Sequence, residues 1–345
     1  MHSPRSLRIF SLKCIFSMQS RRRLDFYESP ELDIIVCPWG FGGTDNLAQE
    51  GAHSILGDTE LVRALESLKV KVNLIEPPSL GPFEIQEDQN RIRNIEAITS
   101  VNHWLREQVY LSRGIGHMPL VLGGDASLSI ASISALSKYY REQSKTDSFG
   151  VLWFSNHFGN SSPEVTKSWN ANRMALTALS YGDSHDKVHE DFRSLISAPD
   201  MHYPIVNKKN IVQLGINHRS AQENVEHEYL VMEDLMELGI AGSILIALEK
   251  LSHCEHIHVV LDLNVFDLSA VSNYSLGQMN YREAISLART LDLKLRRMNK
   301  LSSIDVVEHC PSREAWDKRG EASEWVVDIL ENIFGANVFN VARKY

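Results

Sequence analysis

Ser155, His157 and Gly159 occupy alternate positions in the stretch 150–168, GVLWFSNHFGNSSPEVTKS, directly after the apolar run Val151, Leu152, Trp153, Phe154. A short continuous apolar run suits a strand buried on both faces, and the abrupt start of polar residues at Ser155 marks its carboxyl end. On an extended chain alternate side chains share a face, so these positions are expected to project together. Same-face positions at a strand end suit a set of metal ligands, yet only His157 is a ligand type. Other polar residues stand beyond apolar runs in the same way: Asp125 after 119–122, Asn217 and His218 after 211–215, Asp262 and Asn264 after 258–261, Glu308 and His309 after 301–307. Carboxylates and imidazoles of this kind hold divalent cations or move protons. Pattern alone leaves two readings open, a pocket built from strand ends or polar termini wetted by solvent.

The elements that must position these residues alternate along the chain. Strands are predicted at 33–37, 70–75, 119–122, 151–154, 211–215, 229–232, 258–261 and 301–307, and helices at 59–68, 87–113, about 128–140, 241–251 and 323–334. One further helix opens at Asn280, where Asn280 and Glu283 have the spacing of a capping box. Strand–helix alternation implies a parallel sheet covered on both faces, which binds ligands in the crevice beyond the carboxyl ends of its strands. The glycine-rich segment 38–43 follows the first strand, but it lacks the lysine and hydroxyl of a phosphate loop and reads as a tight turn.

Composition narrows the function classes. The chain of 345 residues is 43% hydrophobic with a formal charge of −9, enough apolar matter for a large core and the wrong balance for a general nucleic-acid binder. No apolar run reaches membrane-spanning length. The cysteines Cys14, Cys37, Cys254 and Cys310 are widely spaced, as free thiols in a reducing compartment would be. The segment 1–24 stands apart, with Arg5, Arg8, Lys13, Arg21, Arg22 and Arg23 and no acidic residue. It reads as a basic extension over 1–31, either an organelle-targeting segment or a disordered arm, ahead of a single domain over 32–345. Localisation is expected to be cytoplasmic unless the arm directs the chain to a mitochondrion or another organelle.

Five stretches carry a family resemblance. Gly123-Gly124-Asp125-Ala126-Ser127 is similar to the GGDHS of the ureohydrolases, the arginase and agmatinase family, with Ala126 in place of the histidine. The stretch from Val151 resembles the family's strand ending in DAHxD, and 261–267 resembles FDVDGLDP. Residues 301–312, LSSIDVVEHCPS, closely resemble the arginases' LSGLDIMEVNPS, and Tyr281-Arg282-Glu283 fits the TYRE helix start. The resemblance implies a three-layer α/β/α fold around an eight-stranded parallel sheet, assembled as a homo-oligomer, usually a trimer. In active members it also implies two manganese ions bridged by a hydroxide that attacks a guanidinium carbon.

Carried across residue by residue, the manganese ligands fall on Ala126, Ser155, His157, Gly159, Asp262 and Asn264, of which only His157 and Asp262 are retained. The positions that read the substrate's amino-acid end fall on Ser161, Ser168 and, near it in the alignment, Ser220; the proton-shuttling histidine falls on Asn172. Glu308, which in the family receives the guanidinium, is kept. No manganese or other cofactor is expected in this chain, and without a metal to acidify water the nucleophile is missing. The reading is therefore a ureohydrolase-fold pseudoenzyme with a binding, assembly or regulatory role. Two alternatives stay open: a divergent hydrolase of guanidino or amidino compounds using a partial site on His157, Asp262 and Asn264, and a sensor of a small cationic amino acid through Glu308. No nucleic acid and no membrane is expected as a partner.

Overall fold

The computed structural model describes residues 31–336 apart from 45, 58, 81–91, 145–147, 167, 183–186, 197–201, 218–225, 268–277 and 315–319. The basic arm, His218 and Ser220 lie outside the described residues. Eight strands form one sheet: β1 (Leu32–Cys37), β2 (Val72–Ile75), β3 (Met118–Gly123), β4 (Phe149–Phe154), β5 (Ile211–Ile216), β6 (Glu228–Val231), β7 (His256–Asp262) and β8 (Leu301–Val307). Their order is β2-β1-β3-β8-β7-β4-β5-β6, and every pairing is parallel.

Six of these strands are buried nearly throughout because both of their faces are covered. In β1, Leu32, Ile34 and Val36 join one core cluster while Ile35 and Cys37 join the other, the period-two alternation of a pleated strand. The first cluster is closed by Ala52, Leu61, Leu65, Ile244, Leu287 and Ile329. These come from helices Gly51–Leu56, Glu60–Ser67, Ile240–Lys250, Tyr281–Leu291 and Glu321–Ile333. The second is closed by Val101, Leu105, Ile133, Leu176 and Phe192, from helices Ile95–Gly114, Leu128–Gln143, Ala175–Ser180 and Lys187–Ile196. The result is the three-layer arrangement that strand–helix alternation implied.

Local signals account for several boundaries. Asn280 accepts from the N–H groups of Arg282 and Glu283 at 3.0 and 3.2 Å, and Glu283 accepts from Asn280 N–H at 2.9 Å, completing the capping box. The helix expected at 87–113 occupies Ile95–Gly114. The sixth strand ends one residue sooner than its apolar pattern suggests, because Met232 opens helix Met232–Leu238. No described helix is long and apolar enough to cross a membrane. Cys37, Cys254 and Cys310 are free thiols.

Candidate functional site

The loops that follow β1, β3, β8, β7 and β4, neighbours in the sheet order, enclose a polar cavity of about 80 Å³ at the carboxyl ends of the strands. Asp125, His157, Asn264 and Glu308 all line it. The open choice between a strand-end pocket and solvent-wetted termini thus falls on the pocket, the position expected of ligand sites in parallel sheets.

Its floor is a buried network around Asp262, which is 0% exposed. Ser155 Oγ donates to Asp262 Oδ2 at 2.7 Å, and Asn264 N–H donates to Oδ1 at 2.9 Å. His157 Nδ1 stands 3.8 Å from Oδ2, beyond hydrogen-bond reach, and reaches it only through Ser155 Oγ at 3.2 Å. Because the Ser155 proton goes to Asp262, and Asn156 Oδ1 also lies 3.0 Å from Nδ1, this ring nitrogen carries the hydrogen. Burial, helped by the charge of Arg173, pushes His157 down to about 3, so the ring is neutral. Burial and then the Glu308 carboxylate push Asp262 up to about 7, against the pull of its Ser155 and Asn264 hydrogen bonds and of Arg173. In a nucleophile triad the imidazole stands between hydroxyl and carboxylate. Here the hydroxyl stands between the other two, so no imidazole base is aimed at Ser155.

The opposite wall is tied together by Glu308. Its N–H donates to Gly124 O at 2.7 Å, while its Oε1 accepts from Ala126 N–H at 2.9 Å and from the Asn172 side-chain amide at 3.0 Å. Glu308 has a φ of 67°, unusual for a residue with a side chain, and these bonds hold it there. Asp125 is 1% exposed and accepts from Gly42 N–H and Ser127 N–H, each at 2.8 Å. Burial, then Glu308, pushes its carboxyl up to about 6. The tight-turn reading of 38–43 fits this contact: a Cβ on Gly42 would lie 2.4 Å from Ser127 Oγ, and its N–H is committed to a protein carboxylate.

The structure corrects one expectation about this region. Alternation does not continue past β4: the strand ends at Phe154, and Gly159 turns into the left-handed region at φ +63°. Ser155 and His157 still converge on Asp262, but through a bend rather than a shared strand face. Ser161 and Ser168 belong to the following loop, where Ser161 N–H donates to Arg173 O at 2.9 Å and Ser168 Oγ meets Thr166 Oγ1 at 3.1 Å. His309 turns away from the cavity to Ser323 Oγ at 2.8 Å, and burial lowers it to about 4. The pattern of strand ends did not single out Arg173 and Arg313, which line the cavity. Neither follows a strand directly; Arg173 adjoins Asn172, and that adjacency was the available clue. Among the described residues no three His, Cys, Asp or Glu side chains are grouped as a metal ion would need.

A family model described as the arginase family matches residues 48–335. An arginase of Staphylococcus aureus is 27% identical over 317 residues, spanning 88% of this chain and 97% of its own length. The native arginase structure from Bacillus caldovelox superposes with a TM-score of 0.75 at 21% identity, covering 90% of this chain and 99% of that one. Entamoeba histolytica arginase, solved with L-ornithine, gives 0.74 at 20% identity, covering 90% and 100%.

Proposed function

The chain belongs to the arginase family, and we propose that it is a member without a binuclear manganese cluster and without guanidinium hydrolysis, acting by binding or assembly. One observation carries this reading: of the ligand positions taken from the family motifs, only His157 and Asp262 keep ligand side chains, and both are committed to Ser155. Ala126 and Gly159 have no donor atom, and Asn264 meets Asp262 with its backbone N–H. The nitrogen of His157 facing Asp262 carries a hydrogen, so it has no lone pair for an ion between them. Two divalent cations need several carboxylates to balance their charge, and this donor set does not fit them. Assembly as a homo-oligomer, a trimer by family resemblance, belongs to the same proposal.

The test is metal analysis of the full chain purified with added manganese, beside urea release from arginine and agmatine. Less than a tenth of an equivalent of metal and no turnover are expected. Stoichiometric manganese with urea release would instead establish a divergent hydrolase using an incomplete ligand set.

A further inference from the structure

Far from the cavity, β1, β2 and β3 enter the sheet side by side through a group of charges. Glu31 directly precedes β1 and Asp33 is the second residue of that strand, while His117 directly precedes β3. His117 Nε2 is 2.8 Å from Glu31 Oε2, and Nδ1 is 2.9 Å from Asp33 Oδ1. An ionised carboxylate only accepts, so hydrogen bonds at both ring nitrogens need a hydrogen on each, and the ring in this arrangement is imidazolium. From the entrance of β2, Lys71 Nζ meets Glu31 Oε1 at 2.7 Å, and the Asn73 amide donates to Asp33 Oδ1 at 2.8 Å. The Lys71 bond and charge, with a lesser contribution from His117, hold the Glu31 carboxyl below the usual carboxylate range. Arg113, from helix Ile95–Gly114, adds a further charge on this side and donates to the His117 carbonyl at 3.0 Å.

The two carboxylates are not equivalent. Asp33 is 3% exposed and relies on Asn73 and His117 as donors, whereas the Glu31 side chain is 37% exposed and keeps both Lys71 and water. When the ring gives up one hydrogen, one of its nitrogens becomes an acceptor that faces a carboxylate oxygen. At Asp33 the lost bond has no water to replace it; at Glu31 it does. We propose that His117 is a proton-operated catch between β1 and β3: with both ring hydrogens it fastens Glu31 to Asp33, and with one it keeps Asp33 and lets Glu31 go. The adjoining backbone bond, Met118 N–H to Glu31 O at 2.8 Å, then loses its side-chain support. The far ends of the same two strands are tied separately, by Gly42 N–H to Asp125, so the loosening stays local.

The test is NMR of the full chain at about pH 5.5 and about pH 8.5, either side of the range in which imidazoles ordinarily titrate. The His117 ring signals are identified by their absence in His117→Gln, and amide exchange is followed in the same samples. The ring is expected to carry hydrogen on both nitrogens at the lower pH and on Nδ1 alone at the higher. Protection of the Met118 amide, corrected for the intrinsic pH dependence of exchange, is expected to fall about fivefold between the two, while residues 35–37 in the same strand pair stay unchanged. Glu31→Gln is expected to abolish the fall, because an amide can face either form of the ring. A neutral ring at the lower pH, the hydrogen on Nε2 alone at the higher, or the same fall at Met118 in Glu31→Gln would each overturn the proposal. The ring signals of the parent chain decide the matter even where a variant does not fold.

Discussion

At the carboxyl ends of the strands His157 reaches Asp262 only through the Ser155 hydroxyl, whereas at the amino ends His117 sits directly between Glu31 and Asp33, at 2.8 and 2.9 Å. The second grouping is wetter: Glu31 is 37% exposed and His117 20%, while Asp262 is at 0%. Lys71 and Asn73 complete it with bonds of 2.7 and 2.8 Å to Glu31 and Asp33. Partial solvation lets charged groups meet there at low cost. In the dry floor of the cavity a bare ion pair would lose more in desolvation than attraction returns, so a hydroxyl intervenes and the imidazole stays neutral. The difference explains why similar residue types form a surface clamp at one end and a hydroxyl-bridged network at the other.

The most drastic way to break the contrast is to rebuild the metal charge. In the combined variant Ala126→His, Ser155→Asp, Gly159→Asp, Asn264→Asp, manganese content is expected to rise from near zero towards two ions per chain, read by elemental analysis. The new carboxylates repel one another when empty, so added manganese is expected to raise the melting temperature. The Gly159 change is the weakest member: no neighbour lies nearer than 3.8 Å to its Cβ, but the φ of +63° costs an L-residue roughly 1 kcal/mol.

Asp262→Asn sharpens the contrast by pH. The Asp262 carboxyl is raised from 3.8 to about 7 in the folded protein. Its burial therefore costs nothing below pH 4, costs progressively more as pH rises to about 7, and stays at that level above it. Near pH 4 the parent carboxyl is protonated and, like asparagine, offers one donor and one acceptor position, so the two proteins are expected to be about equally stable there. Relative to the parent, the variant should gain about a few kcal/mol on going to pH 8, measured by urea unfolding. Asp125, raised to about 6 by burial and Glu308, is present in both proteins and largely cancels in the difference.

At the other end smaller effects are expected. Asp33 is itself only 3% exposed, and Asp33→Ala leaves His117 and Asn73 without their shared acceptor, a loss of about 1–2 kcal/mol by denaturation. Lys71 has a side chain 76% exposed, and Lys71→Ala is expected to change stability by less than about 0.5 kcal/mol. A large effect at Lys71 would show that the amino-end clamp is less solvated than its exposure implies.

The sheet was legible because six buried strands carry short apolar runs, and the capping box at Asn280 was legible because it is a local exchange of hydrogen bonds. The short helices Gly51–Leu56 and Ala175–Ser180 were not, since six residues carry too little periodicity to stand out. The convergence of Ser155, His157 and Asp262 was anticipated, but not their order, which depends on where β4 stops. Arg173 lay hidden for a different reason. A cation on a loop resembles any solvated arginine until the fold brings Asp262, His157 and Glu308 around it.

Across the ends of β8 and β3 the Glu308 N–H donates to the Gly124 carbonyl, while the Glu308 carboxylate accepts from the N–H of Ala126. That reciprocal clasp makes Glu308 a fastener as well as a carboxylate. A position with a mechanical duty cannot drift freely when its chemical duty lapses, because losing it would unpin two neighbouring loops at once. Architecture alone is thus enough to account for a glutamate here, and such a residue is a poor witness to catalysis wherever it also holds the walls together.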